Sequence, residues 1–296
     1  MTTKEREAVL AFLKANDAPA EQSLADQRAR MDSLANFFPV PQGTEVEPAK
    51  LGGIKGEWVR ARRARRDAVL LYLHGGGYVI GSPASHRHLA AAISEAAGIS
   101  VFCADYRLAP EHPFPAAVDD AVAAYKGLLD SAIPAARIAI AGDSAGGGLT
   151  IATLVAARDK GLPVPACAVA ISPWADLSQG GESHRTRVKR DPMVGKEALD
   201  SMAAAYLAGR DAKTPLASPL FAELKGLPPL LIQVGSEEAL HDDSMQLKAR
   251  AEGAGVDVSL ESWGGMVHVW HIFHPLLSEG RDAVARIGSF VKTHIE

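Results

Sequence analysis

Hydrophobic residues along this chain recur with two different periods. Over residues 3 to about 36, Val9, Leu10, Phe12 and Leu13, then Leu24, Met31, Leu34 and Phe37, fall at helical spacing. A small polar break at Asn16 to Pro19 divides that stretch into two helices. From about residue 45 short apolar runs take over. GEWVRAR at 56, AVLLYLH at 68, SVFCADY at 100, RIAIAGD at 137, ACAVAIS at 166, PLLIQVG at 229 and VDVSLES at 256 each read as a strand. Helical patterns fall between them at about 84–97, 114–130, 146–160, 241–254 and 276–294. Alternation of this kind predicts an α/β fold, a mostly parallel sheet covered by helices on both faces. Residues 183–224 interrupt it. They are charged, contain Asp191-Pro192 and Pro215, and hold one amphipathic helix near 196–208.

These breaks divide the chain into an N-terminal helical part of a cap at 1–45, a catalytic domain at 46–182 and 225–296, and a cap insertion at 183–224. A length of 296 residues suits one large α/β domain with such an appendage. The formal charge of −4 gives no electrostatic reason to expect nucleic acid or an anionic membrane as partner. The one basic cluster, Arg60 to Arg66, reads as an exposed strand edge and hairpin turn. Cys103 and Cys167 lie inside apolar runs and read as buried free thiols rather than a disulfide or metal site. The N-terminus is charged and amphipathic, and no stretch approaches a membrane span, so a cytoplasmic protein is expected.

Candidate chemistry collects just after the strands, where open α/β sheets bind ligands. Gly142-Asp143-Ser144-Ala145-Gly146 fits G-x-S-x-G at a strand-to-helix junction. A sharp turn there exposes the serine hydroxyl, and glycines flank it because a Cβ would strike the neighbouring strand and helix. His74-Gly75-Gly76-Gly77 follows an earlier strand, and consecutive glycines let backbone amides approach a substrate oxygen. His74 itself reads as a hydrogen bonder that organises the loop. Of ten histidines, His268 follows the last strand behind two loop glycines and is the candidate base. His271 and His274 read as partly exposed histidines at the start of a helix.

HGGG at 74–77, DYRLAPEHPFPAA at 105–117, GDSAGG at 142–147, SPWADLS at 172–178 and Met-x-His-x-Trp at 266–270 together resemble the hormone-sensitive-lipase-like esterases. The resemblance runs in collinear order from about residue 68 to 280. It implies an eight-stranded α/β-hydrolase fold with a helical cap, and a carboxylesterase that needs no cofactor and no metal. It carries over Ser144 as nucleophile, His268 as base, and Gly75, Gly76 and Ala145 as oxyanion donors. Arg107 and Glu111 are expected to support the site, in a buried ion pair, without acting in it. The family usually shows Asp-Pro-Leu-x-Asp after its seventh strand; here the run is Glu238-Ala239-Leu240-His241-Asp242. Alignment on Leu240 and Asp242 makes Glu238 the residue that orients the histidine, with Asp242 second. Glu237 should then point elsewhere, and Asp242 and Asp243 should cap the following helix.

The expected partner is therefore a small-molecule ester of short to medium acyl length. A ligand-binding protein without hydrolysis is the opposing reading, weakened because serine, histidine and acid are all present. Amide or peptide hydrolysis by the same triad stays open. The last strand in sequence is expected at a sheet edge with little lysine or proline to blunt it, which makes a homodimer through that strand the expectation.

Overall fold

The computed structural model describes residues 3–16 and 22–295. Among these residues eight strands form one sheet in the order β1-β2-β4-β3-β5-β6-β7-β8. They are β1 Glu45–Leu51, β2 Ile54–Arg60, β3 Arg65–Leu73, β4 Ile99–Ala104, β5 Ile138–Asp143, β6 Cys167–Ile171, β7 Leu230–Gly235 and β8 Val258–Trp263. The helices are α1 Thr3–Ala15, α2 Leu24–Leu34, α3 Pro83–Ala97, α4 Ala116–Asp130, α5 Ala145–Asp159, α6 Ser183–Thr186, α7 Lys196–Leu207, α8 His241–Gly253 and α9 Ser278–His294. Part of the expected break at Asn16 to Pro19 lies outside the described residues.

Strands β4 to β7 are buried at every position, so their sequences run apolar without alternation. One face packs against α3 and α9 around Leu89, Ile93, Val284 and Ile287; the other packs against α4, α5 and α8 around Ala121, Tyr125, Leu149 and Leu247. Only β1 escapes the sequence pattern. Its burial runs almost wholly exposed, and Pro48 sits within it. An edge strand tolerates a proline because one side of it has no ladder to complete. It pairs antiparallel with β2 across Gly52 and Gly53, both at positive φ. At the opposite edge lies β8, as expected, paired parallel to β7 alone. The arginines of 60–66 span the end of β2, a turn and the start of β3, where Arg60 pairs with Glu47 and Arg66 with Glu45.

Strand order reverses between β3 and β5, because β4 lies on one side of β3 and β5 on the other. Loops leaving such a switch point diverge and open a crevice at the carboxyl edge. The turns after β3 and β5 both carry the residues singled out above. No described helix is long and apolar enough to cross a membrane.

Candidate active site

Ser144 stands between β5 and α5 with φ 55° and ψ −121°, a backbone conformation that side-chain-bearing residues rarely adopt. Three hydrogen bonds hold it there. Its N–H donates to the carbonyl of Ile171 at 2.8 Å, and its own carbonyl accepts from Trp174 at 2.9 Å and Gly148 at 3.1 Å. The flanking glycines are required by contact. A Cβ on Gly142 would lie 2.2 Å from the Gly146 carbonyl oxygen, and one on Gly146 would lie 1.9 Å from that of Leu73.

The candidate acid and the candidate base meet across two loops. His268, in the loop after β8, places Nδ1 3.0 Å from Glu238 Oε2, and both side chains are buried. Glutamate's extra methylene is taken up by the chain turning back on itself. Glu238 Oε1 accepts from the N–H of Gly235, three residues earlier, at 2.6 Å, and from the hydroxyl of Ser172 at 2.7 Å. Gly235 must be glycine because a Cβ would meet the Met266 carbonyl at 2.2 Å. Burial pushes the Glu238 carboxyl above its ordinary value, against the pull of His268. Burial would lower the imidazole of His268, but the hydrogen bond and charge of Glu238 outweigh it and raise its pKa.

The glycine loop differs in one respect from the expectation. Gly75 does not offer a free oxyanion amide, since its N–H donates to Asp143 Oδ1 at 3.1 Å. A carboxylate accepts that bond more strongly than water would, so the amide is already satisfied. Among the described residues the amides of Gly76, Gly77 and Ala145 have no protein acceptor. Gly76 and Gly77 adopt φ of 113° and 61°. Met202 of α7 packs directly over Gly77, and the ring of Tyr206 stacks on that of Tyr78 at 3.8 Å.

Comparison with known proteins gives this geometry its relatives. A model of the α/β-hydrolase fold matches residues 70–272. A solved esterase of the bacterial hormone-sensitive lipase family superposes with a TM-score of 0.97 at 47% identity, covering 100% of both chains. This chain belongs to that family. An acetyl-hydrolase of Streptomyces hygroscopicus is 49% identical over 99% of this chain and 98% of its own. An esterase of Acinetobacter venetianus is 34% identical over 92% of this chain and 90% of its own.

Within this hormone-sensitive-lipase-like framework Glu237 and His274 stand as expected, while Asp242, Asp243, His271, Arg107 and Glu111 do not. Asp242 and Asp243 do not cap α8, whose first turn has no side-chain cap. Asp243 is buried and reaches away from its helix. Its Oδ2 accepts from the N–H groups of Ala175 and Asp176, both at 2.9 Å, and its Oδ1 faces His184 Nε2 at 2.7 Å. Asp242 similarly accepts from the N–H of Ser183. Both acids therefore tie down the 172–184 segment, and Asp242 is not beside His268. Glu237 points elsewhere, toward Arg190 at 3.5 Å. His271 is fully buried, with Nε2 2.7 Å from Gln233 Oε1, and burial pushes it down to about 3. His274 is half-buried against His88. Arg107 and Glu111 form no buried pair with each other: Arg107 binds Asp120 at 2.6 Å and Glu111 binds Arg28 at 2.7 Å.

Two residues near the site had no role in the sequence reading. Ser172 is buried at φ 45°, and besides donating to Glu238 it accepts from the N–H of Val269, the residue after His268. It therefore ties the Glu238 carboxylate to the backbone beside His268. Asp191 accepts from the N–H of Ala239, next to Glu238. The position of Ser172, immediately beyond β6, was the available signal, because residues at strand carboxyl ends line the crevice.

Proposed function

We propose that the ester hydrolysis typical of this family runs here through Ser144, His268 and Glu238. Ser144 Oγ attacks the ester carbonyl while His268 takes its proton and then returns it to the leaving alkoxide. Glu238 holds the Nδ1–H tautomer and stabilises the imidazolium as it forms. Water enters the emptied site and repeats the sequence on the acyl-enzyme. The amides of Gly76, Gly77 and Ala145 receive the oxyanion, and one such donor is worth roughly 3–4 kcal/mol at the transition state. The observation that carries this reading is the buried 3.0 Å contact between Glu238 and His268, formed by residues thirty apart on different loops.

The substrates are short to medium acyl esters, a reading supported by the similarity to a relative named acetyl-hydrolase. We assign α1, α2 and residues 183–224 to a cap over the crevice, supported by the packing of Met202 and Tyr206 on the glycine loop. A reducing cytoplasm is in keeping with Cys103 and Cys167, both buried and free.

The deciding experiment uses a fluorophosphonate probe and a p-nitrophenyl ester together. Ser144→Ala should lose both labelling and turnover while melting cooperatively. Turnover retained by the folded variant refutes the assignment.

A further inference from the structure

Gly75 is held from both sides. Its N–H is taken by Asp143, and its carbonyl oxygen lies 2.8 Å from His74 Nδ1. A carbonyl only accepts, so His74 carries its proton on Nδ1. Burial, with His86 nearby, pushes the second protonation of His74 down to about 3 and keeps it in that form. The ring is clamped in turn by Tyr106, which stacks on it at 4.3 Å and donates its hydroxyl to the His74 carbonyl at 2.6 Å. The Gly75 carbonyl and the Gly76 N–H belong to one planar trans peptide and point in opposite directions. Fixing the first therefore aims the second.

The anchor beneath this loop is Asp143, which immediately precedes Ser144. It is buried, accepts from the hydroxyl of Tyr72 at 2.7 Å, and faces His86 Nε2 at 3.3 Å. His86 is buried as well, and its other nitrogen lies 2.8 Å from Ser85 Oγ. That hydroxyl can place its own proton on the Ser82 carbonyl at 2.8 Å, and its oxygen accepts from the Ser82 N–H at 2.9 Å, which leaves one lone pair to accept from His86. Both ring nitrogens then donate, so an imidazolium is satisfied at each end. Burial opposes the charge on each partner, yet their mutual attraction raises His86 above its ordinary value and holds Asp143 down at about 2.

We propose that His86 and Asp143 form a positioning pair for the oxyanion donors, separate from proton transfer at His268. The pair keeps the glycine loop in register with the nucleophile turn, because Asp143 is bonded to the first and covalently joined to the second. Neither side chain touches the reacting atoms. The inference rests on the reading of Ser144 as nucleophile.

The test uses the full-length protein with His86→Phe, which removes both donors, and His86→Gln, which keeps one without the charge. Four quantities are read: kcat and KM on a p-nitrophenyl ester, affinity for a trifluoromethyl ketone, and the acid limb of kcat/KM. The ketone forms a hemiketal oxyanion on Ser144 and so reports on the donors directly. His86→Phe should lose about tenfold to a hundredfold in kcat, below the roughly 10²–10³ lost when a donor is removed outright. KM should stay within about threefold, ketone affinity should fall in parallel with kcat, and the acid limb should move less than it does in Glu238→Gln, since Asp143 acts on His268 only by distant charge. His86→Gln should recover part of both losses, and it carries the test if the phenylalanine variant does not fold. The pairing is refuted by kcat near that of the parent in a folded variant. It is equally refuted by lost kcat with unchanged ketone affinity, or by an acid limb displaced as far as in Glu238→Gln. Fluorophosphonate labelling of Ser144 persists in either case, so failure here is distinguishable from failure of the nucleophile assignment.

Discussion

A glutamate that orients a histidine has one more rotatable bond than an aspartate, and that freedom must be removed. Here Gly235 and Ser172 remove it by occupying Oε1, which leaves Oε2 to the imidazole. Glu238→Gln should lose most of kcat, toward the roughly 10⁴ seen when a serine protease acid becomes its amide, because a neutral amide cannot stabilise the imidazolium. Glu238→Asp should keep a measurable fraction, since it retains the charge and loses reach. Asp242→Asn should remain near parental activity, as its carboxylate serves Ser183 instead. Steady-state rates of the three variants check this, and a near-dead Asp242→Asn beside a normal Glu238→Gln would refute the assignment. The pH profile carries the same argument. His268 must be neutral to accept a proton, and Glu238 lifts its pKa above 6.5, so kcat/KM should fall as pH drops through a value above that. In any residual activity of Glu238→Gln the limb should move to lower pH, because burial is then opposed only by the more distant charges of Asp191 and Asp143. Ser172→Gly, which tolerates the positive φ, should show a smaller shift in the same direction.

The elements that bear these residues are ordinary strands and helices, and what differs is how their ends are joined. The segment from β6 to α6 has no regular structure, and Asp243 supplies the acceptor that its Ala175 and Asp176 amides need. Asp243→Ala would strand those two buried donors and His184 together. Breaking such a buried cluster costs about 3–5 kcal/mol. A lower urea midpoint with unchanged slope is the expected result, and an unaltered midpoint would remove Asp243 from this role. The strand pattern was readable along β2 to β7 because burial on both faces or one leaves apolar residues in register, and along β8 because Val258 and Leu260 alternate with polar residues and pack on the core. β1 was not, because its exposed edge residues carry no such constraint.

On the scale of the whole molecule, β8 leaves one side of its backbone unpaired at the sheet edge. An unpaired parallel edge favours pairing with a second copy, and we propose a homodimer joined there. Sedimentation at micromolar concentration should give twice the mass of the 31.2 kDa chain, and lysine placed at Ser259 or Glu261 should shift it toward monomer. A single monomeric species in the parent would remove the interface without touching the catalytic argument. The N-terminal helices contribute differently. Phe12 packs against Phe38 and Phe273, near the base loop, and Arg28 binds the Val79 and Ala109 carbonyls beside the glycine loop. Deleting residues 1–36 should therefore change acyl-length preference or cause aggregation, and an unchanged profile in a soluble truncation would show that they are no part of the cap.

Local sequence determined what local physics can determine. Gly142 and Gly146 around Ser144, the glycine run after His74 and the apolar strands are legible because steric exclusion and burial on both faces leave few residue types that fit. The opposed placement of Glu238 and His268 was legible by alignment against a known pattern, not by periodicity. Tertiary structure decided the rest, because those contacts join residues far apart in the chain. Asp143 accepts from Gly75 across 68 positions, which withdraws that amide from the proposed oxyanion donors. Ser172 meets Glu238 across 66 positions, and His184 meets Asp243 across 59. Nothing in the neighbourhood of an aspartate in sequence states whether it will cap its own helix or pin another segment. That choice depends on which unpaired amides the fold brings within reach, and burial makes each unpaired amide too costly to leave.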